Sequence, residues 1–321
     1  MKMYHRIFHF FLFAANTLQG ICMDYSVDVM VFTKLRIIAI ATFTVNIFLL
    51  PKNGLAISHR IFPAAQEETY NNNDEGVLGT VCLKHLSILS FGPNGIEKVV
   101  DPAIHRFQKS LLRFPDFKDD YQENPSNATL YGIDTLEIHV SSPNLDLFQG
   151  VDEGYSLSIK DYTSSAILRA KTVFGAVHGL ETMGQLLNFG WMSNTGVPVF
   201  VIHGIPLYIK DEPSFEYRGL LIDTSRHYLP LNLILANLDA MSMNKMNVLH
   251  WHLTDSQSFP FKTKNIPEVA GKGAFHPKMV YTTSDIENVV TEAYLRGIRI
   301  IPEIDMPGHT QAIAKSHPEL M

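Results

Sequence analysis

The sequence predicts an α/β fold, a small α+β N-terminal domain followed by strand–helix units of a parallel sheet. Three observations predict it. From about 78 to 205, short alternating strands mix with helical spacing. After 206, apolar runs and amphipathic stretches follow one another as strand, helix, strand, helix, strand, the order of a parallel sheet with helical crossovers. Each of those later strands ends in polar and charged residues. At 321 residues the chain is long enough for about two domains and a sizeable core.

The N-terminal residues carry an apolar bias of a different kind. Ile37 to Leu50 is an uncharged run of 14 residues, preceded by Lys34 and Arg36 and followed by Pro51. A membrane-spanning helix takes about 20 apolar residues, so the run suits the h-region of a signal peptide, with Gly54-Leu55-Ala56 as a small-x-small cleavage site. Met30 is then the expected start, residues 30–56 the signal and 1–29 an upstream extension holding a second apolar stretch, Ile7 to Leu18. An uncleaved signal anchor is the alternative. Asn127-Ala128-Thr129 is a glycosylation sequon, whereas proline blocks Asn124-Pro125-Ser126. The expected localisation is the secretory pathway, lysosomal or extracellular, with membrane anchoring if the signal is retained.

Residues 57–77 read as a flexible lead-in segment, polar from 66 to 76. The N-terminal domain, 78–205, follows. Thr135 to Val140 and Tyr155 to Ile159 alternate like half-buried strands, and 172–187 has helical spacing through Val173, Val177, Leu180 and Leu187 before a break at Asn188 to Gly190. His178 on that helix reads as packed or exposed, without a site role.

The second part, 206–321, opens with an apolar strand from Arg218 to Asp223. Leu231, Ile234, Leu235, Leu238 and Met241 then mark one face of an amphipathic helix beginning near Pro230. Asn247 to Leu253 is a second strand. Ser284-Asp285-Ile286-Glu287 is expected to cap a second helix, with Gly297 past its end, and Ile298 to Ile304 is a third strand. In barrels and doubly wound sheets the carboxyl ends of the strands carry the chemistry.

Three constellations stand at those ends. Arg226, after Asp223, has the donors to grip a polar ligand, or serves only in an ion pair with Asp223. His250 and His252, at i and i+2, face one side of their strand, as metal ligands or as a hydrogen-bonded pair. Taken alone, that spacing is similar to metal-dependent amidohydrolases. Asp255, just beyond, is the better candidate for site chemistry. His309, at a Pro-Gly turn after Glu303 and Asp305, could couple to Asp255 and set a tautomer or relay a proton; otherwise Asp305 caps the turn and His309 faces solvent.

Composition excludes several classes. Net charge is −6 without a basic block, which argues against nucleic acid as a partner. Cys22 and Cys82 are too few for a disulfide framework or a Cys-rich zinc site.

Tyr217 to Pro230 (YRGLLIDTSRHYLP), Asn244 to Asp255 (NKMNVLHWHLTD) and Leu295 to Thr310 (LRGIRIIPEIDMPGHT) closely resemble the first three barrel strands of family 20 β-N-acetylhexosaminidases. Gly179-Leu180-Glu181-Thr182 resembles the end of that family's α+β N-terminal domain. The resemblance covers about 78 to 321. It implies a (β/α)8 TIM barrel and exo-hydrolysis of terminal β-linked N-acetylglucosamine or N-acetylgalactosamine from glycans, with the substrate's own acetamido oxygen as nucleophile. By motif, Arg226 would hold the sugar's 3- and 4-hydroxyls, and Asp255 with His309 would form a dyad behind the general acid. Asp223, His250, His252 and Glu303 would support the rim. Neither cofactor nor metal is implied, and a homodimer of a full-length chain is left open.

The family's acid and its orienting carboxylate form an Asp-Glu pair after Gly-Gly at strand four, and no Gly-Gly-Asp-Glu occurs in this sequence. Ser256 also stands where many relatives carry a second Asp. A (β/α)8 barrel takes roughly 250 residues, more than 206–321 can supply, so the expectation is an incomplete barrel and an inactive fragment. Two other classes stay open: a non-catalytic secreted glycan-binding protein, and a metal-dependent hydrolase using His250 and His252.

Overall fold

The computed structural model describes residues 61–70, 77–81, 85–111, 130–160, 162–191 and 198–320. The signal region 30–56, the extension before it, Cys22, Cys82 and the sequon at Asn127 lie outside the described residues. Residues 59–321 form one compact unit, and no helix among the described residues is long and apolar enough to cross a membrane.

Six strands form the N-terminal sheet: β1 (Glu67–Tyr70), β3 (Ser87–Phe91), β5 (Thr135–Val140), β6 (Tyr155–Ile159), β7 (Ser165–Ala170) and β10 (Leu207–Asp211), in the order β1-β10-β6-β7-β5-β3. Residues alternate in β5 and β6 as expected, with Leu136, Ile138, Val140, Leu157 and Ile159 buried. That apolar face lies under helices α1 (Glu97–Leu111) and α2 (Val173–Leu186). Thr172 caps α2 by accepting from the Gly175 N–H at 3.3 Å. A side chain at Gly179 would put a Cβ 2.2 Å from Leu168, so glycine there lets the helix lie directly on β7. A second sheet runs β4-β2-β9-β8, from Leu130–Gly132, Val77–Val81, Pro198–Ile205 and Asn188–Trp191.

Two expectations about this part change. The lead-in segment 57–77 contains strand β1, and β10, beyond the expected boundary at 205, belongs to the same sheet. The reason is edge pairing. Glu67 to Tyr70 is too polar to announce a strand, but its backbone pairs antiparallel with Leu207 to Lys210. Likewise Asn188 to Gly190 begins strand β8, paired with β9.

The later part is a three-stranded parallel sheet, β11 (Gly219–Asp223), β12 (Val248–Thr254) and β13 (Arg299–Ile304), with β12 central. Helix α3 (Leu231–Met243) connects β11 to β12, and α4 (Pro267–Gly273) and α5 (Thr283–Tyr294) lie between β12 and β13. Ile234, Leu238 and Met241 of α3 and Val289 and Ala293 of α5 cluster with Ile222, Leu249 and Trp251. The cap of α5 sits two residues earlier than expected. Thr282, not Ser284, accepts from the Asp285 N–H, and the Asp285 carboxylate accepts from the Thr282 N–H at 2.8 Å.

Parallel register sorts the other face of this sheet into rows. Leu221, His250 and Ile301 form one row; Asp223, His252 and Glu303 form the next, toward the strand ends. Leu221 and Ile301 stay exposed at 54% and 37%. The row of Leu221, His250 and Ile301 thus lies beneath the wholly polar one.

Polar contacts tie the two parts together. Arg218, just before β11, and His178 of α2 both donate to the buried Glu153 carboxylate, and Asn247 donates to its other oxygen at 3.1 Å. Lys245 Nζ donates to Asp211 at 2.9 Å and to the Tyr155 hydroxyl at 2.8 Å.

Candidate active site at the strand ends

The polar row at the carboxyl ends of β11, β12 and β13 gathers the candidate residues. At the end of β11, Asp223 Oδ1 accepts from the backbone N–H groups of Ser225 and Arg226, each at 3.0 Å. This turn directs the Arg226 side chain back, so its Nη1 lies 2.7 Å from Asp223 Oδ2 while its Nη2 pairs with Asp255. The ion pair with Asp223 is therefore real, and it coexists with a guanidinium 39% exposed to solvent. Thr224 and Ser225 are buried beneath it. Trp251 Nε1 donates to the Thr224 hydroxyl at 2.9 Å, and Ser225 Oγ donates to the Ser258 carbonyl at 2.6 Å.

Asp255 is the centre of the site. Only 1% exposed, it follows β12 in a turn closed by its own N–H to the Ser258 carbonyl at 3.0 Å. Its carboxylate accepts from the Ser256 N–H at 2.5 Å, faces His252 Nε2 at 3.1 Å and His309 Nδ1 at 3.1 Å, and pairs with Arg226. Burial works to raise this carboxyl's pKa. The Ser256 N–H, His252, His309 and the Arg226 charge outweigh it, and the net direction is down. The Asp223 carboxyl is also held low: burial opposes, while hydrogen bonds from Arg226 and the Ser225 N–H prevail.

His252 bridges to the third strand. Its Nδ1 lies 3.0 Å from Glu303 Oε1, and His250 Nε2 pairs with the other Glu303 oxygen. Burial alone would raise the Glu303 pKa, but these two imidazoles and an Asp305 hydrogen bond lower it. A continuous chain of contacts thus runs Arg226–Asp255–His252–Glu303–His250. His309 enters from the turn after β13 with φ of 62°, the left-handed region. It is 55% exposed and touches Asp255.

The structure thus brings Arg226, Asp223, Asp255, His252, Glu303, His250 and His309 into one cluster. Sequence reasoning gave Asp305 only a turn-capping role, yet its carboxyl lies with the His252 imidazole and the Glu303 carboxyl; its i+2 spacing from Glu303 was the available signal. It also left out the Ser256 backbone N–H, which carries no residue-type signal. A cleft of about 700 Å³ lies elsewhere, on the N-terminal sheet beside Phe91, Arg169 and Lys210, and holds none of the site residues.

Comparison with known proteins identifies the family of the chain. The profile described as "Glycosyl hydrolase family 20, catalytic domain" matches residues 215–321, and "beta-acetyl hexosaminidase like" matches 51–186. Beta-hexosaminidase 1 of Arabidopsis thaliana is 42% identical over 267 residues, covering 81% of this chain and 48% of the relative. The Felis catus beta-hexosaminidase subunit beta is 38% identical over 250 residues, covering 74% of this chain and 45% of the relative. The chain therefore spans about half the length of these relatives. Among solved structures, Flavobacterium johnsoniae chitobiase superposes with a TM-score of 0.62 at 31% identity, covering 81% of this chain and 36% of that one. An exo-β-N-acetylglucosaminidase from Vibrio harveyi gives 0.60 at 22% identity, covering 84% of this chain and 39% of that one, a likeness of fold. With the strand-end cluster inside the segment matched by the catalytic-domain profile and the second profile matching the part before it, the chain belongs to glycosyl hydrolase family 20, the family of its β-hexosaminidase relatives.

Proposed function

We propose that this chain supplies the sugar-gripping rim of an exo-β-N-acetylhexosaminidase acting on terminal β-linked N-acetylglucosamine or N-acetylgalactosamine of glycans. In this reading its three parallel strands are the first of a (β/α)8 barrel. One juxtaposition supports it above all: Arg226 and His309, from different strand ends, both meet the carboxylate of Asp255.

The roles follow from that geometry. Arg226 offers the N–H groups left exposed between its two carboxylate partners to the sugar's 3- and 4-hydroxyls. Asp255 fixes His309 through Nδ1, which leaves the ring's Nε2 to hold the carboxyl that protonates the leaving oxygen. The substrate's acetamido oxygen attacks the anomeric carbon, so the protein need not provide a nucleophile. The 321 residues hold no Gly-Gly-Asp-Glu run to supply the acid. By themselves they are expected to bind sugar without turning it over. The apolar run 37–50 and the sequon at Asn127 support passage through the secretory pathway, tested by glycosylation of Asn127 in a product translated from Met30.

The test of function is a chimaera joining this chain to the portion of the Arabidopsis relative that it does not match. It should hydrolyse an aryl β-N-acetylglucosaminide, and Arg226→Ala should lower kcat/KM by roughly ten- to a hundredfold, the equivalent of a charged hydrogen bond. A folded chimaera without turnover, or one indifferent to Arg226→Ala, would count against these roles.

A further inference from the structure

We infer that His252, Glu303 and Asp305 form a binding site for one divalent transition-metal ion of the zinc class. One ligand atom from each of the three lies within 4.8 Å of the others. All three stand on or directly after strands of one sheet, with His252 buried on the central strand.

Charge balance favours a cation there. Asp223, Asp255, Glu303 and Asp305 converge on the strand ends, and Arg226 gives its guanidinium nitrogens to the first two. Glu303 is paired with imidazoles instead. The Asp305 carboxylate lies within 4.8 Å of the same Glu303 and His252 ligand atoms, so a cation there would meet two carboxylates at once.

Tautomer geometry gives a second reason. A neutral imidazole carries one N–H. His252 Nε2 is turned to Asp255 at 3.1 Å, so Nδ1 is the nitrogen available on the Glu303 side, 3.0 Å from Oε1. An ion held there would take the place of the Nδ1 proton and bind this nitrogen and the Glu303 oxygen together. A histidine backed by a carboxylate on its far nitrogen is the usual setting of a metal-ligating imidazole, and Asp255 is that carboxylate. One imidazole with two carboxylates suits zinc or cobalt better than magnesium or calcium. Three protein ligands leave a position for water.

A neighbouring set, Asp255, Asp305 and His309, is equally close. It is the weaker site, because Asp255 is already held by Arg226 and the Ser256 N–H, and His309 turns its Nδ1 to Asp255.

Metal binding stands without the glycosidase reading; only its effect on turnover rests on that reading. An ion drawing Glu303 and Asp305 together beside Asp255 would disturb the sugar grip, so zinc should inhibit.

The test is titration of the 321-residue chain with Co²⁺, followed by its visible absorption, and with Zn²⁺ by calorimetry. One ion per chain is expected, displaced from cobalt by zinc and not by millimolar Mg²⁺. His252→Gln and Asp305→Asn should each weaken binding by at least about tenfold, while His276→Gln, at an exposed position, should not. Circular dichroism checks each variant's fold. Asp305→Asn, at a half-exposed position, carries the test if His252→Gln unfolds. Absence of cobalt binding, equal competition by Mg²⁺, or affinity unchanged in folded Asp305→Asn would overturn the site. Zinc inhibition of the chimaera that Asp305→Asn relieves would support it further. Binding without inhibition would uphold the site and count against the proposed sugar geometry.

Discussion

Arg218 Nη2 lies 2.6 Å from Glu153 Oε1, and this ion pair joins the start of the first parallel strand to the N-terminal layer. His178 Nε2 shares the same oxygen at 2.9 Å, and the His178 ring is buried. Its Nδ1 has no hydrogen-bond partner among the described residues. Replacing Glu153 by Ala would leave Arg218 and His178 facing a void. The expected cost is about 3–5 kcal/mol, as for other broken buried pairs, measured by urea unfolding of the whole chain.

The same pair sets a pH dependence. Burial lowers the His178 pKa from 6.5, with Glu153 opposing only in part, since a proton on Nδ1 would find no acceptor. The unfolded chain therefore binds that proton more readily, and stability should fall as pH drops below about 6.5 toward the lower folded value. The Glu153 carboxyl, where burial is outweighed by His178 and Arg218, is itself held below 4.5, so its contribution is lost at lower pH still. Thermal melts between neutral and mildly acidic pH should show the first loss, and His178→Gln should flatten it. An unchanged slope in that variant would assign the dependence to other groups.

Lys245 and Asp211 form the second tie, and their coupling is measurable. Lys245→Met strands the Asp211 carboxylate in a buried site, and Asp211→Asn leaves the buried ammonium with neutral acceptors only and no paired charge. Each single change should destabilise by about 3 kcal/mol or more. The double variant should cost clearly less than their sum, because neither charge is then left alone. Additive costs in denaturant unfolding would show that the two side chains do not act as a pair.

Gly297 ends the approach to β13 with φ of 71°. An added Cβ would meet Phe174 at 3.5 Å, ordinary contact, so the penalty of Gly297→Ala lies in the backbone. About 1–2 kcal/mol is expected for an L-residue in the left-handed region, read as a lower urea midpoint with an unchanged slope.

How much of this could be read beforehand depends on where the signal lies. Asp255 and His309 were legible because strand ends in a parallel sheet converge, and Arg226 because a charged residue stood at such an end. Gly297 was legible as a residue past a helix end, although the cap itself falls at Leu295. Strand β1 was not, since the four residues EETY carry no apolar pattern and owe their strand to a partner 137 to 143 positions away, with Glu67 opposite Lys210 at the far end of that range. The ties through Glu153 were equally illegible: its partners Arg218 and Asn247 lie 65 and 94 residues along the chain, a distance over which spacing says nothing.

The Asp223 turn has a consequence for recognition. Its carboxylate binds the Arg226 backbone N–H and the Arg226 guanidinium at once, and Asp255 braces the same group from the other side. The arginine is ordered before any ligand arrives. A free arginine side chain carries about 2 kcal/mol of rotamer entropy that immobilisation would forfeit, and here folding has already met that loss. Ligands meeting this guanidinium should therefore associate with little adaptive rearrangement, and selectivity should come from how well their hydroxyls fit a fixed fork.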